Sequence, residues 1–217
     1  MKIVIFSDTH LTQEFDQDLY RELKKVITLA DQVIINGDFW DGYITTFDSF
    51  IKSEWQQLFD LLKSKNTIYI YGNHDPEKFC DERVSFFSIS QNYEHLLQIE
   101  NHTYNIQHGH LIHQSIVTKL ATILPHSLVK SVNIWIKNQE KLNTFWGKLT
   151  HQLELYLDVT GDQQLQSYVK KINQQNKNRI FVFGHSHTPQ LTIENSYLNP
   201  GKFTVKTPKF ISIEQLP

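Results

Sequence analysis

Five short apolar runs stand out along the chain: Ile3 to Phe6, Val33 to Ile35, Ile68 to Tyr71, Tyr104 to Ile106 and Ile180 to Phe183. Runs of this length, rich in β-branched and aromatic residues, predict buried strands. Two stretches of helical periodicity separate the first three. Over 16–30, Leu19, Leu23, Val26, Ile27 and Ala30 recur at spacings of three and four; over 47–62, Phe47, Phe50, Ile51, Trp55, Leu58, Phe59 and Leu62 do the same. The first 75 residues therefore predict strand, helix, strand, helix, strand with short connections, the pattern of parallel βαβ units.

After Pro76 the pattern loosens, and residues 76–107 predict a short helix followed by one strand ending at His108. Residues 111–178 return to helical periodicity, with breaks at Pro125 and around Gly161. Their stripes are Leu128, Val132 and Trp135, then Leu153, Tyr156 and Leu157, then Leu165, Tyr168, Val169 and Ile172. This block interrupts an otherwise regular α/β chain, so 1–217 is expected to form one domain with a helical insertion, a lid, at 111–178. The last forty residues predict strands at 180–183, 191–193, 203–205 and 210–213, hairpin-rich and antiparallel, with a turn at Asn199-Pro200-Gly201.

Composition narrows the class. A hydrophobic content of 40% and a charged content of 20% are ordinary for a water-soluble globular domain. No apolar run reaches the length of about 18 to 20 residues that spans a bilayer. The first strand begins at Lys2, which leaves no room for a signal peptide and makes a cytoplasmic location the expectation. Cys80 is the only cysteine, so an intrachain disulfide and a cysteine-rich zinc site are excluded; with 11 histidines, any metal is held by nitrogen and oxygen. The net charge of −2 disfavours a general nucleic-acid binder. Charge is unevenly spread: residues 111–178 carry eight lysines against four acids, and the rest of the chain 13 basic against 19 acidic residues.

Each predicted strand is followed by a polar segment: Asp8-Thr9-His10, Gly37-Asp38-Phe39-Trp40-Asp41, Gly72-Asn73-His74-Asp75, His108-Gly109-His110 and Gly184-His185-Ser186-His187. Open α/β sheets bind their ligands at the carboxyl ends of strands. If the chain is still extended there, Asp8 and His10 point the same way, as do His185 and His187. With Asp38, Asn73 and His108, seven nitrogen and oxygen donors are pooled. That is more than one transition ion takes and about right for two ions sharing a carboxylate. The donor set suits Mn²⁺, the first expectation, or Fe, Ni²⁺, Co²⁺ or Zn²⁺. Two such ions activate water and clamp the oxygens of an in-line displacement at phosphorus. His74, beside Asn73, is the candidate general acid for the leaving group, with Asp75 or Asp41 holding its imidazolium. Trp40, Tyr43 and His110 are candidates to line the substrate pocket, with core packing an equal alternative for Trp40 and Tyr43.

The five segments, read as DxH, GDxxD, GNH[DE], a lone His followed by Gly, and GHxH, resemble the calcineurin-like metallophosphoesterase superfamily. That resemblance implies a four-layer αββα sandwich with mixed sheets and two metals at its rim. It further implies one ion on Asp8, His10, Asp38 and His187, and a second on Asp38, Asn73, His108 and His185. His74 is then the catalytic histidine, and the reaction is hydrolysis of a phosphate ester or pyrophosphate by a metal-bridged hydroxide. The helical block between HGH and GHSH resembles the lid of the hydrolases that cleave UDP-2,3-diacylglucosamine, although those carry GNRD where this chain has His74. By that likeness Ile116, Leu120, Ile123, Leu124, Leu128, Val132, Trp135 and Trp146 line an apolar cleft. Lys119, Lys130, Lys137 and Lys141 then meet an anionic headgroup or membrane surface, or else the apolar residues only seal the block onto the body. An amphipathic or lipid-linked phosphate is the expected substrate, with peripheral membrane contact through the insertion. A small phosphomonoester or a cyclic nucleotide is the alternative. Nucleic acid, phosphoprotein and a binding scaffold without catalysis rank lower.

Overall fold

The computed structural model describes residues 1–113, 126–142, 144–174, 179–192 and 196–214, with the backbone alone described for His126, Lys137, Glu140, Lys141 and Thr192. The expected βαβαβ start is present: β1 (Lys2–Phe6), α1 (Gln17–Thr28), β2 (Gln32–Asn36), α2 (Phe47–Ile51), α3 (Phe59–Ser64) and β3 (Ile68–Ile70). The apolar stripe over 47–62 does not make one helix. Ser53 takes an extended conformation and its hydroxyl accepts the Trp55 N–H, opening a 3-10 turn at Glu54–Leu58 between α2 and α3.

Residues 76–107 hold more strand than the periodicity predicts. Two 3-10 turns, Glu77–Phe79 and Glu82–Phe86, precede β4 (Ser90–Asn92), β5 (Glu94–Ile99) and β6 (His102–Gln107). β5 and β6 form an antiparallel hairpin that turns where Glu100 adopts a positive φ of 52°. Among the described residues two helices follow, α4 (His126–Lys141) and α5 (Phe145–Asn173). The predicted break at Gly161 is absent; α5 runs through it as 29 residues, about 43 Å at 1.5 Å per residue. Gly161 is small for packing: a Cβ there would lie 3.0 Å from the His113 ring.

The chain ends with β7 (Arg179–Val182), β8 (Gln190–Thr192), β9 (Tyr197–Asn199) and β10 (Ile211–Glu214). The expected strand at 203–205 does not form; Phe203 is instead a buried core residue, its ring 5.8 Å from that of Phe6. Nor is this region wholly antiparallel. β9 pairs parallel with β7 and antiparallel with β8, and β10 crosses to the other sheet to pair antiparallel with β1. The sheets run β10-β1-β2-β3-β4 and β5-β6-β7-β9-β8, each mixed.

The pleat sorts side chains into three apolar layers. Ile3, Ile5, Ile34, Ile68, Ile70, Ile106, Ile180 and Val182 fill the space between the sheets. Their strand neighbours Val4, Phe6, Val33, Ile35 and Tyr69 face the other way, into an aromatic-rich layer with α1, α2 and α3. Phe181, Phe183 and Tyr197 pack outward against Leu165 and Val169 of α5. Helices, sheet, sheet and helix are the four layers of an αββα sandwich. The carboxyl half of α5 is therefore one of those layers and belongs to the body. Its amino half and α4 expose Leu128, Val132, Trp135, Phe145, Trp146 and Tyr156. Those of the expected sealing residues that are described, Leu128, Val132, Trp135 and Trp146, do not seal the block onto the body; Ile116, Leu120, Ile123 and Leu124 lie outside the described residues.

Truncating a fully buried branched aliphatic leaves a cavity that a flat two-sheet layer cannot collapse. Ile34→Ala is expected to cost about 2–5 kcal/mol in urea denaturation, whereas Leu155→Ala, on the exposed face of α5, stays within about 0.5 kcal/mol of the parent.

Candidate metal centre

The ligand-bearing segments do not continue the strands. Asp8, His10, Asp38, His185 and His187 all have positive φ, between 47° and 65°, and they are five of the eight such non-glycine residues described. Each such conformation costs on the order of 1 kcal/mol or more and persists only where neighbours enforce it. Here the enforcing contacts are main-chain hydrogen bonds from Asp8 N to Gly37 O, His10 N to Asp38 O and Leu11 N to Phe39 O, which zip the first two segments together. The expectation that Asp8 and His10 converge because the chain is extended is thus corrected: they converge because it coils left-handed at both. Gly72 is required by close approach, since a Cβ there would lie 2.1 Å from Asp38 Oδ1 and 2.5 Å from its main-chain nitrogen.

The seven expected donors meet in one place. Asp38 Oδ2 lies 3.3 Å from His108 Nε2 and 3.9 Å from His10 Nε2, so this single oxygen faces both halves of the cluster. On one side His187 Nε2 is 3.5 Å from Asp8 Oδ1 and 3.3 Å from His10 Nε2. On the other, His108 Nε2 is 3.1 Å from Asn73 Oδ1. The Asp8–His10–His187 and Asp8–Asp38–His108 groups each bring their ligand atoms within 4.8 Å of one another. His185 stands beside them, its ring centroid 5.3 Å from that of His108.

Whether the residues suit metal is decided by the far side of each imidazole. His108 Nδ1 donates to the Asn36 carbonyl at 2.8 Å, which leaves Nε2 as the ligating atom. His185 Nε2 donates to the His113 carbonyl at 3.2 Å, which leaves Nδ1. Fixing one ring nitrogen as a donor so that the other presents its lone pair is how proteins orient metal-binding histidines. The donor set fits divalent metal, with Asp38 facing both halves of the cluster.

Electrostatics sort the groups further. Burial raises the cost of charge on Asp8 and Asp38, but His187 and His108 at Asp8, and His108 and His74 at Asp38, hold both carboxyls far below their ordinary range. Burial and the adjacent His74 keep His10 neutral, and burial and His108 keep His185 neutral. Burial opposes charge on His108 and His187 as well, yet Asp38 pushes the first up to about 9, and Asp158 with Asp8 pushes the second up to about 10.

Of the two candidates for holding His74, Asp41 does so. Its Oδ1 lies 3.1 Å from His74 Nδ1, while His74 Nε2 points inward, 4.0 Å from Asp38 Oδ2. Burial works against the charged ring, but Asp38 and Asp41 outweigh it and raise its pKa. Asp75 acts elsewhere, its carboxylate accepting the main-chain N–H groups of Asp38, Gly72 and Phe39 at 2.9, 2.7 and 2.6 Å. It braces the ligand loops and does not touch the imidazole, because it is fully buried beneath them.

The expected pocket residues fare unevenly. Trp40 is a core residue, stacked on Phe50 at 12°, because its side chain turns into the helical layer. Tyr43 packs edge-on against His74 with ring centroids 4.8 Å apart, and burial pushes its hydroxyl up to about 12. His110 sits 5.5 Å from the His108 ring and opens onto a separate hollow with Tyr93 and Leu111. Trp135 points to solvent, whereas its α4 neighbours Asn133 and Ile136 face the centre. Lys119 lies outside the described residues, as do the side chains of Lys137 and Lys141.

Above the seven donors is a cavity of about 340 Å³, floored by His10, Asp38, Asn73, His74, His185 and His187 and roofed by Ile136, Thr150, Leu153, Glu154, Leu157 and Asp158, with Lys202 at its side. The sequence reading missed the acids of this roof. Glu154, Asp158 and Asp162 recur every four residues, and they are three of the four acids in residues 111–178, a signal that was present in the spacing.

This chain belongs to the calcineurin-like phosphoesterase family, whose sequence model matches residues 1–189. It is a metallophosphoesterase, a hydrolase of phosphate esters. Among solved structures it is similar to an archaeal phosphodiesterase at 17% identity, covering 98% of this chain and 99% of that one with a TM-score of 0.43. It is also similar to Yfce, a phosphoesterase from E. coli, at 16% identity over 93% of this chain and 80% of that one, TM-score 0.43. A protein of unknown function from Aquifex aeolicus, AQ665, matches at 13% identity over 91% and 88%, TM-score 0.47. No curated protein matches the chain significantly.

Because His108 and His187 hold protons through neutral pH, a metal must displace them. Affinity for Mn²⁺ or Zn²⁺ is therefore expected to rise between about pH 6 and 9, with protons released on binding. Calorimetry in buffers of different ionisation enthalpy checks this; binding that is flat with pH and releases no proton contradicts it.

Proposed function

We propose that the protein hydrolyses the phosphate ester or pyrophosphate of an amphipathic, lipid-linked substrate such as UDP-2,3-diacylglucosamine at a centre of two divalent ions, with Mn²⁺ the first candidate. The observation that carries the hydrolase is Asp38 Oδ2, placed within reach of both ligand groups, with His74 poised beside it on Asp41. Asp8, His10, Asp38 and His187 would hold one ion, and Asp38, Asn73, His108 and His185 the other. Together the ions would supply an activated water and charge neutralisation at phosphorus. The chain's own residues do the rest. His74 Nε2 faces the cavity and delivers a proton to the leaving-group oxygen, while Asp41 fixes the ring through Nδ1 and favours its charged form.

The amphipathic character of the substrate is supported by the roof. A volume of about 340 Å³ suits the phosphate-bearing head of a ligand and falls at the small end of small-molecule sites. Leu153 both lines this cavity and is half exposed, so the apolar lining continues outward along α5 to Leu149, Trp146 and Phe145. A tail leaving the cavity would follow that stripe. Exposed apolar residues flanked by Lys130 and Lys148 would also let the helices rest on an anionic membrane. No described helix is long and apolar enough to cross a membrane.

His74→Asn should lower kcat by about 10²–10⁴ with metal content unchanged, and Asp41→Asn should lower it less; a His74→Asn enzyme of full activity removes the general acid. For substrate class, UDP-2,3-diacylglucosamine, cyclic nucleotides, phosphomonoesters and single-stranded DNA are compared with Mn²⁺ present, in the parent and in a Leu149→Asp, Leu153→Asp variant. Selective loss on the acylated substrate is expected. Equal loss on all substrates, or preference for a small phosphomonoester, would overturn the amphipathic assignment.

A further inference from the structure

Three histidines of the centre have the far side of the ring occupied, and one differs from the others. His108 and His185 each donate to a main-chain carbonyl, whereas His187 Nδ1 faces a carboxylate, Asp158 Oδ2, at 3.3 Å. Both side chains of that pair are shielded, with 17% and 18% of their surface accessible. Its other ring nitrogen, Nε2, points at Asp8 and His10. Asp158 comes from the helical block and the histidine from the body. We propose that Asp158 is the positioning residue for His187, so that α5 completes the metal centre as well as roofing it. This rests on the reading of Asp8, His10 and His187 as ligands of one ion.

Three features keep Asp158 where it is. One turn later on the same face, Asp162 is buried and accepts hydrogen bonds from the Tyr197 hydroxyl at 2.5 Å, Ser186 Oγ at 3.3 Å and Gln166 Nε2 at 2.7 Å. Ser186 lies between the two histidines of the last segment and also accepts from Asn199 Nδ2 at 2.9 Å, so this network ties α5 to the ligand loop itself. At Gly161 the helix lies directly on the His113 ring, whose main chain in turn receives His185. One turn earlier, Glu154 is 4.0 Å from His187 Nδ1 but pairs with Lys202 at 3.7 Å, which leaves Asp158 as the nearer acceptor. A carboxylate behind a ligating histidine fixes its tautomer and makes it a stronger donor, and removing one typically costs about 10–100-fold in metal affinity.

The test is metal binding by purified, metal-free protein. Zn²⁺ and Mn²⁺ are titrated calorimetrically against a competing chelator into wild type, Asp158→Asn and Glu154→Gln. Wild type is expected to take two ions; Asp158→Asn should weaken one of them by about 10–100-fold and leave the other, and Glu154→Gln should stay close to wild type. Equal affinities in wild type and Asp158→Asn overturn the positioning role alone, whereas a wild type that binds neither metal overturns the underlying metal assignment. A second measurement needs no variant. In the Zn²⁺-loaded wild type, ¹⁵N-resolved imidazole spectra should show His187 protonated at Nδ1 and ligating through Nε2; ligation through Nδ1 would overturn the proposal even if Asp158→Asn failed to fold.

Discussion

Two carboxylates, Asp8 and Asp38, are sealed from water at the end of a double sheet, and the local structure is built to make that tolerable. An isolated buried carboxylate costs several kcal/mol even after relaxation. Asp38 Oδ1 accepts the main-chain N–H of His74 at 2.8 Å, and both oxygens of Asp8 accept that of His185 at 3.2 and 3.3 Å. The remaining lone pairs face imidazoles. Each carboxylate is therefore bound to the main chain of a different segment, and the same contacts that solvate the charge fix the loops' relative positions. A cation binding there meets groups already oriented and already stripped of water.

That arrangement needs a backbone willing to be strained. Five left-handed residues stand at the rim, above strands anchored in a layer rich in isoleucine and valine between the two sheets, and main-chain hydrogen bonds between the first two segments help hold them. Flat β-branched side chains suit a thin inter-sheet layer, and the aromatics go outward, where helices leave room for them. Asp75, buried under three main-chain donors, is the keystone between scaffold and site. Burial and the neighbouring Asp38 push its carboxyl up to about 6, while Tyr69, His108 and the Gly72 N–H favour the ionised form.

α5 links stability to chemistry by doing different things along its length. Its carboxyl half, through Leu165 and Val169, is the fourth layer of the sandwich. Its middle presents acids to the GHSH segment, and its amino half carries an apolar surface away from the body. A helix tied down at one end and in the middle can hold the roof of a cavity at a constant height above the donors. Removing the whole block would consequently remove a core layer and a contact of His187, and would not isolate substrate binding.

The βαβαβ start, the convergence of the seven candidate side chains and the helical run before β7 were legible in the sequence because each depends on local rules: strand length, helical period, and polar segments closing apolar runs. Local rules also misled. Gly161 reads as a helix break but is a packing gap for His113, and Trp40, which the sequence leaves open between pocket and core, turns into the core. The sequence alone could not choose between Asp41 and Asp75 as the partner of His74, since both lie within a few residues of a ligand; only the fold, which buries Asp75 under three N–H groups, decides it. The same holds for Asp158. Its four-residue spacing from Glu154 and Asp162 marks a helix face, but what that face meets is settled by how α5 crosses the second sheet, a contact between residues far apart in the chain that no local pattern encodes.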